Sequence, residues 1–216
     1  MFIKDYISKD FPSFHLTDSV EEAKAALDAF CFSHIFIKKN HHFYGALSKE
    51  SLEESEGTLK SLEHLIERFA ILEDNSIIES IRLFYTFDSN VVPVINKNEK
   101  YLGYISCEDV FQELSKYPLF SETGAVLTVE IPAKRYSMTE IANIVESNNS
   151  KLYGAFISEM AEDFVRVTLK IGNENLSSID ATFERYDYKI IEKFYNDEKT
   201  DMLKDRFGFL QKFIEI

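Results

Sequence analysis

One stretch decides the fold of the first half of the chain: Val91-Val92-Pro93-Val94-Ile95, then a polar turn, then Gly103-Tyr104-Ile105-Ser106-Cys107-Glu108-Asp109. Two short apolar runs on either side of a polar turn predict a pair of adjacent strands. A serine followed by acidic residues predicts a helix start, because the serine oxygen caps free backbone N–H groups and the carboxylates suit the helix dipole. The stretch therefore predicts strand, turn, strand and helix in that order.

The same pattern occurs earlier in the chain, at an offset of 58 residues. Sliding the chain by this offset places residues 33–52 on residues 91–110 without a gap. Six of these 20 positions are identical, where composition alone gives roughly one. The identities pair Ile37, Lys39, Asn40, Gly45, Ser48 and Glu50 with their counterparts in the second copy. The chain therefore contains an internal repeat.

An amphipathic segment precedes each pair of strands. Capping residues open both segments, Thr17-Asp18-Ser19 in copy one and Asp74-Asn75-Ser76 in copy two. Apolar residues at helical spacing follow: Val20, Ala23, Leu27 and Phe30 in copy one, and Ile77, Ile78, Ile81, Phe84 and Tyr85 in copy two. Each copy thus reads as helix, strand, turn, strand and helix in about 45 residues, which indicates one structural unit used twice.

The order apolar-apolar-Pro-Val, turn, and Gly-apolar-apolar-Ser-x-x-Asp resembles the CBS domain, and copy two matches it closely. Copy one matches more loosely, because Ile35 stands where the family often has proline and Ser51 stands where it has aspartate. The opening Asp10-Phe11-Pro12 also suits such a module. The resemblance implies a tandem CBS pair over residues 1–120, with copy one at about 10–55 and copy two at about 68–116.

The resemblance also implies a nucleotide site in copy two. In the family the aspartate accepts hydrogen bonds from ribose hydroxyls and the Ser or Thr hydroxyl donates to phosphate, which makes Ser106 and Asp109 the candidate residues. Backbone groups of Val92 and Pro93 would frame an adenine. The chemistry agrees, because an ionised carboxylate only accepts and a ribose diol offers two donors. The alternative is that Ser106 simply caps its helix while Asp109 complements the helix dipole.

Ser48 and Ser51 are the weaker equivalents in copy one. Serine is uncharged and shorter than aspartate, so Ser51 would hold a diol less well. We therefore expect the first site to be empty or degenerate.

The second half begins after a turn-rich stretch at residues 117–124. Alternating residues predict a half-buried strand at 125–131, and Ser137 opens a predicted helix. Strands at 151–157 and 164–171, a helix at 176–185 and a strand at 188–194 complete the order β-α-β-β-α-β of the ferredoxin-like arrangement. The predicted fold class is therefore α+β, a tandem CBS pair of two β-α-β-β-α-type repeats followed by a ferredoxin-like domain.

A β-α-β-β-α-β unit behind a CBS pair resembles an ACT domain, here over residues 123–195. Family members that bind amino acids usually carry a glycine in the turn after the first strand, and Tyr136 stands at that place. A tyrosine fills the space that a glycine leaves open to a ligand. Residues 196–216 carry a further apolar stripe at helical spacing, which predicts a C-terminal helical tail.

Composition excludes several classes of protein. The net charge of −13, from 24 basic and 37 acidic side chains, argues against a nucleic-acid partner. No apolar run approaches the ~20 residues of a membrane span, and no signal-peptide pattern opens the chain. Two cysteines, Cys31 and Cys107, make no disulfide framework. We therefore expect a cytoplasmic protein without a membrane partner.

No catalytic or metal-binding pattern stands out. The histidines are His15, His34, His41, His42 and His64, and none has a second ligand at a metal-binding spacing. Glycine-rich phosphate loops and nucleophile motifs are absent from the sequence. Cys31 falls in a helical stripe and is expected in the core. The expectation is a non-enzyme with no cofactor and no metal.

Three functions remain open. The first is a regulatory sensor whose CBS pair binds an adenine nucleotide (AMP, ADP or ATP) and modulates a partner or a dimer contact, with Lys97, Lys100 and Arg82 as local cations for the phosphate. The second is a non-catalytic dimerisation or interaction module without a metabolite. The third is an amino-acid sensor acting through the ACT-like domain. The resemblance implies a homodimer.

Overall fold

The computed structural model describes residues 1–194, which form two compact units. The first unit is Met1–Ser115, and the second begins at Lys116. The predicted C-terminal helical tail at 196–216 lies outside the described residues. No helix among residues 1–194 has the length and apolar character needed to cross a membrane.

Each copy of the repeat forms the same five elements. Copy one comprises β1 (Ser13–Phe14), α1 (Val20–Phe30), β2 (His34–Lys39), β3 (His42–Ser48) and α2 (Lys49–Glu53). Copy two comprises β4 (Ile71–Leu72), α3 (Ile77–Thr86), β5 (Val91–Ile95), β6 (Tyr101–Ser106) and α4 (Cys107–Leu114). The sheets have the orders β1-β2-β3 and β4-β5-β6. In each, the first strand runs parallel to the second and the third runs antiparallel.

Both helices begin at the capping runs that the sequence predicts, and in each run the serine is the residue that caps the helix. Ser19 Oγ accepts a hydrogen bond from the backbone N–H of Glu21 at the start of α1. Ser76 forms a reciprocal capping box with Glu79 at the start of α3. Both arrangements satisfy backbone donors that a helix leaves unpaired at its N-terminus.

The gapless alignment of the two copies is wrong in the first strand of each hairpin. Gly45 pairs with Ile37, whereas Gly103 pairs with Val94, so Ile37 corresponds to Val94 and not to Ile95. By the same register Phe36, and not Ile35, stands in the place of Pro93.

The turn between the strands explains this shift. In copy one, Asn40 and His41 both have positive φ, 50° and 68°, as a two-residue type I′ turn requires. The turn of copy two is one residue longer and has its positive φ at Glu99. The gapless alignment ignores this extra turn residue, and it therefore misaligns the strand before the turn by one residue.

Each copy sends the segment before its first strand across to the other copy. We call residues 2–11 the first leading segment and residues 58–69 the second leading segment. The first pairs with copy two, where Ser8 and Tyr104 exchange both backbone hydrogen bonds at 2.9 and 3.0 Å. The second pairs with copy one, where Glu67 and Ala46 do the same at 2.9 and 2.8 Å. The two copies are therefore interlocked.

Glycine makes both crossings fit. A Cβ at Gly103 would lie 2.3 Å from the carbonyl oxygen of Ser8, and the φ of Gly103 is +147°. A Cβ at Gly45 would lie 2.1 Å from Ile66 Cγ2 in the second leading segment. The repeated glycine of the sequence pattern thus marks the places where a leading segment meets the third strand of a sheet.

An aromatic group joins the copies within one continuous core. Phe11 packs edge-on against Phe32, Phe36 and Tyr104, with ring centroids 4.9 to 6.0 Å apart. Phe36 is fully buried, and Phe11 and Tyr104 are each 3% exposed. Because these residues come from the first leading segment, β2 and β6, the core of the first unit is shared by both copies.

The second unit has the predicted order of elements. After a short helix α5 (Pro118–Ser121) follow β7 (Ala125–Pro132), α6 (Met138–Ser147), β8 (Leu152–Met160), β9 (Phe164–Ile171), α7 (Leu176–Arg185) and β10 (Lys189–Phe194). The strands form an antiparallel sheet in the order β10-β7-β9-β8. This is the ferredoxin-like arrangement, and the predicted α+β fold class is confirmed.

The strand pattern of the second unit follows from burial on one face of its sheet. Leu127, Val129 and Ile131 of β7 are fully buried, in alternation, and pack with Ile141 of α6 and Ile179 of α7. Period-2 alternation is what a sheet covered by helices on one face produces.

Candidate functional site

Ser106 and Asp109 meet at the start of α4. Ser106 Oγ donates a hydrogen bond to Asp109 Oδ2 at 2.6 Å and accepts one from the backbone N–H of Asp109 at 3.1 Å. The backbone N–H of Ser106 donates to the same Asp109 Oδ2 at 3.3 Å. Both residues are half-buried. The helix-capping alternative is therefore realised in this structure.

The cap uses only one oxygen of the Asp109 carboxylate. Its hydrogen bonds all fall on Oδ2, and among residues 1–194 none falls on Oδ1. An ionised carboxylate offers about four acceptor positions. The cap and a second hydrogen-bonding function at Asp109 are therefore compatible.

A second carboxylate lies beside this turn. Tyr104 Oη donates a hydrogen bond to Asp10 Oδ1 at 2.6 Å, which ties the first leading segment to β6. Burial raises the pKa of Tyr104 well above its ordinary value, and the hydrogen bond to Asp10 and the negative charge of Asp109 raise it further. The phenol therefore stays protonated and keeps its role as a donor.

Val92 and Pro93 lie in the buried middle of β5. They pair with Ile105 and Tyr104 of β6, whereas β4 pairs with β5 only at Val94 and Ile95. The β4-facing backbone edge of Val92 and Pro93 therefore carries no strand pairing, although Pro93 has no N–H to donate.

The first-copy equivalents form a different cluster. Ser48 Oγ and Ser51 Oγ lie 2.8 Å apart, and Ser48 Oγ accepts from the backbone N–H of Ser51 at 3.2 Å. The helix that follows, α2, has only five residues. The two hydroxyls hydrogen-bond to each other, and this turn lacks the charged acceptor that Asp109 supplies in copy two.

The junction of the copies contains a polar cluster that sequence reasoning missed. The backbone N–H of Ser33 donates to Asn90 Oδ1 at 2.9 Å, and the backbone N–H of Asn90 donates to Ser33 Oγ at 3.0 Å. These two residues occupy equivalent places in the two copies once the hairpins are aligned by register. His34 Nδ1 lies 2.9 Å from Ser33 Oγ, and His34 Nε2 lies 3.5 Å from Glu67 Oε2.

His34 is held neutral at this junction. It is 3% exposed, and burial lowers its pKa below the ordinary value of 6.5. The charge of Glu67 and a hydrogen bond to it act in the opposite direction. Glu67 is 46% exposed, so water screens its charge and burial prevails.

We expect the first unit to lose stability as the pH falls below 6.5. In that range the unfolded chain takes up a proton at His34 before the folded protein does. The free energy of unfolding therefore decreases as the pH decreases, by at most about 1.4 kcal/mol per pH unit. Urea unfolding at pH 7.5, 6.5 and 5.5 measures this slope. His34→Gln should have a flatter profile, and an unchanged slope in that variant would contradict the assignment.

Cys31 does not lie in the core as expected. It is exposed and ends α1 in the left-handed conformation, with φ of 55°, because the chain turns there toward β2. Cys107 is half-buried at the start of α4. Among residues 1–194, no three His, Cys, Asp or Glu side chains are grouped closely enough to hold a metal ion.

The lysines expected to attract a phosphate lie at the wrong end of the sheet. Lys97 and Lys100 flank the turn between β5 and β6, and Lys97 pairs with Asp74 at 3.3 Å. Ser106 lies at the other end of β6, six residues after Lys100, which is about 20 Å away in an extended strand. These lysines therefore belong to a different surface from the Ser106–Asp109 turn.

Comparison with known proteins identifies copy two. Residues 64–116, which include Ser106 and Asp109, match the CBS domain family. The chain therefore contains a CBS domain, as its sequence pattern indicates. No curated protein matches the sequence.

Solved structures with CBS domains resemble about half of the chain. A CBS domain pair/ACT domain protein from Thermotoga maritima is 21% identical over 53% of this chain and 96% of its own, with a TM-score of 0.48. The CBS domains of a transcriptional regulator from Streptococcus pneumoniae are 15% identical over 52% of this chain and 98% of their own, with a TM-score of 0.45. CBSX2, solved in complex with AMP, is 13% identical over 52% of this chain and 95% of its own, with a TM-score of 0.44. At these levels the assignment rests on the sequence match of copy two.

Proposed function

We propose that the first unit is a non-catalytic sensor that binds an adenine nucleoside or nucleotide at the Ser106–Asp109 turn. Occupancy of this site would alter a contact with a partner protein or with a second copy of the chain. The proposal extends the family match over residues 64–116 with the geometry of that turn.

The observation that carries the proposal is that the two oxygens of the Asp109 carboxylate have different surroundings. Oδ2 holds the helix cap, and Oδ1 has no hydrogen-bond partner among residues 1–194. A ribose diol has two hydroxyl donors and could bond to Oδ1 without breaking the cap. Copy one lacks this arrangement because Ser51 brings no carboxylate.

The charge around the turn favours a ligand with few negative charges. Asp10, Glu108 and Asp109 lie at or beside the turn, and the lysines of the β5–β6 turn are distant. A triphosphate would meet repulsion that a nucleoside or a monophosphate meets much less. Among AMP, ADP and ATP we therefore expect AMP to bind most tightly.

Coupling to the rest of the unit is available through the first leading segment. Asp10 reaches Tyr104 from this segment, and Ser8 is paired with the same residue. A ligand that binds beside Asp109 differently in two arrangements of the segment would shift the balance between them, by the ratio of its two affinities.

A thermal-shift titration of the full chain tests the site. AMP, ADP, ATP and S-adenosylmethionine are compared on the unaltered protein, on Asp109→Asn and on Ser51→Ala. A ligand at 100 times its Kd should stabilise the first unit by roughly 2.7 kcal/mol. Asn keeps an acceptor oxygen for the cap but removes the charge, so Asp109→Asn should lose most of the shift. Ser51→Ala, the matched change in copy one, should keep it.

Two results would overturn the proposal: no shift with any adenine compound, or an equal shift in Asp109→Asn. The first result would leave the interaction module as the better account.

One observation favours an interaction module as the second candidate function. The strand β8 lies at the edge of its sheet and exposes three apolar side chains: Phe156 is 48% exposed, Ile157 is 39% exposed and Met160 is 67% exposed. Exposed apolar edge strands are sites of strand addition. Light scattering with and without AMP then reports whether the chain self-associates independently of nucleotide.

The amino-acid site expected of an ACT domain receives less support. Tyr136 packs against the core of the second unit, in the turn between β7 and α6. Its ring fills the space beside the backbone that a glycine would leave open.

A further inference from the structure

A pocket lies at the turn end of the strands in the first unit, away from the end that carries Ser106. Its volume is about 270 Å³, slightly below the range of drug-sized ligand sites. Six residues line it: Phe43, Arg68, Phe69, Ala70, Ile95 and Glu99. They come from β3, from the second leading segment and the residue that follows it, and from the β5–β6 hairpin, so both copies contribute.

The floor of the pocket is apolar and firmly held. Phe43 is 8% exposed and Phe69 is 4% exposed. Phe69 also stacks on Phe87 with ring centroids 4.2 Å apart and an angle of 14° between the planes. Ile95 at the end of β5 extends this surface. Such a floor suits an aliphatic or aromatic group of a small ligand.

Opposite charges flank the apolar floor. Arg68 Nε donates to the backbone oxygen of Tyr44 at 3.2 Å, which fixes the guanidinium. Its two Nη groups have no carboxylate partner among residues 1–194, and neither does the Glu99 carboxylate have a cation. The two groups form no ion pair with each other, so their charged atoms lie more than 4.0 Å apart. The pocket thus offers one cation and one anion with space between them.

The residues that correspond to Phe43 and Ile95 in the other copy indicate which chemical group fits beside the aromatic ring of the pocket. By strand register Tyr101 stands for Phe43 and Lys38 stands for Ile95. The backbone oxygen of Glu99 accepts from Phe43, and that of His41 accepts from Tyr101. Lys38 Nζ lies over the Tyr101 ring, 5.6 Å from its centroid. The protein therefore places its own ammonium group against the aromatic ring in one copy, whereas Ile95 leaves that position without a cation in the other.

We propose that this pocket binds a free α-amino acid with an apolar side chain. The ligand carboxylate bonds to the Nη groups of Arg68, since a guanidinium matches a carboxylate in geometry and charge. The ligand ammonium group lies by the Glu99 carboxylate, in the position that Lys38 takes in the other copy. The ligand side chain packs on Phe43 and Phe69. A ligand so placed would bridge the two copies at the second leading segment.

Calorimetric titration of the full chain with phenylalanine, leucine and methionine tests the proposal. Phenylpropionate and phenethylamine, which each lack one of the two charges, serve as probes of the charge pair. The titrations are made without nucleotide, so their outcome does not depend on the Ser106–Asp109 site. We expect one of the amino acids to bind, and each singly charged probe to bind at least tenfold more weakly.

Three variants locate the binding. Arg68→Gln and Glu99→Gln should each weaken amino-acid binding about 10- to 100-fold, because each removes a charged hydrogen-bonding group. Ile95→Lys should abolish it by filling the pocket as Lys38 fills the equivalent place. The matched change Lys38→Ile should leave binding intact, and melting curves confirm that each variant is folded. No binding of any amino acid at millimolar concentration, or undiminished binding in both charge variants, would overturn the proposal.

Discussion

Gly103→Ala is expected to detach the first leading segment from β6 and to destabilise the first unit by about 3–5 kcal/mol. The new Cβ would lie 2.3 Å from Ser8 O and 2.5 Å from Ile7 Cγ2, and the nearer atom belongs to backbone that cannot rotate away. The φ of +147° adds backbone strain for any residue with a side chain. Both costs fall on the place where Ser8 and Tyr104 pair.

Hydrogen exchange of the full chain, measured by mass spectrometry, separates this effect from general unfolding. Peptides that cover residues 2–9 and β6 should lose protection, while peptides from β7 report on the second unit. Gly57→Ala is the control, because Gly57 has φ of +86° but nothing lies within 4 Å of the position that a Cβ would take there, so only strain of about 1–2 kcal/mol applies. Equal losses in the two variants would contradict the account of the crossing.

Phe36→Ala should cost about 3–5 kcal/mol of the stability of the first unit. Phe36 is fully buried and its ring contacts come from both copies, with Phe11 and Tyr101 each 5.9 Å away between ring centroids. Its removal leaves a cavity that neither leading segment nor sheet can close without breaking its strand pairing. The variant should therefore loosen both copies together.

Urea titration monitored by hydrogen exchange measures this loss in β2 and in β5 separately. We expect the same decrease in both strands, since the copies share one core. Phe111→Ala removes an equally large ring that is 71% exposed, and it should change stability by less than about 0.5 kcal/mol. A loss confined to copy one would show that the repeats unfold independently.

The sequence predicts the elements of both units because their signals are local. Ser76 and Ser106 cap helices in the way their acidic neighbours indicate, and alternation in β7 marks the buried face of the second sheet. The register that relates the first strands of the two hairpins is harder to predict from the sequence. It depends on the length of the turn, and the identity between Ile37 and Ile95 hides the extra turn residue of copy two.

The candidate site is predictable only in part. Ser106 and Asp109 lie three residues apart, so helix geometry brings them together and spacing suffices to find them. Asp10 reaches Tyr104 only through the exchange of leading segments, and no pattern near either residue encodes that contact. The pocket beside Arg68 and Glu99 likewise needs three distant segments. Such sites arise from topology and become visible only in the folded chain.

The exchange of leading segments also determines when the first copy can fold during protein synthesis. Asp10 leaves the ribosome 94 residues before Tyr104, the residue it must bond. At the usual pace of translation this interval lasts roughly 5–20 s. During that time the nascent first copy holds Ile3 and Phe11, both core residues of the finished unit, without their partners. The emerging chain is thus a natural client for chaperones that shield apolar segments, and its first copy cannot complete folding until the second copy has been made.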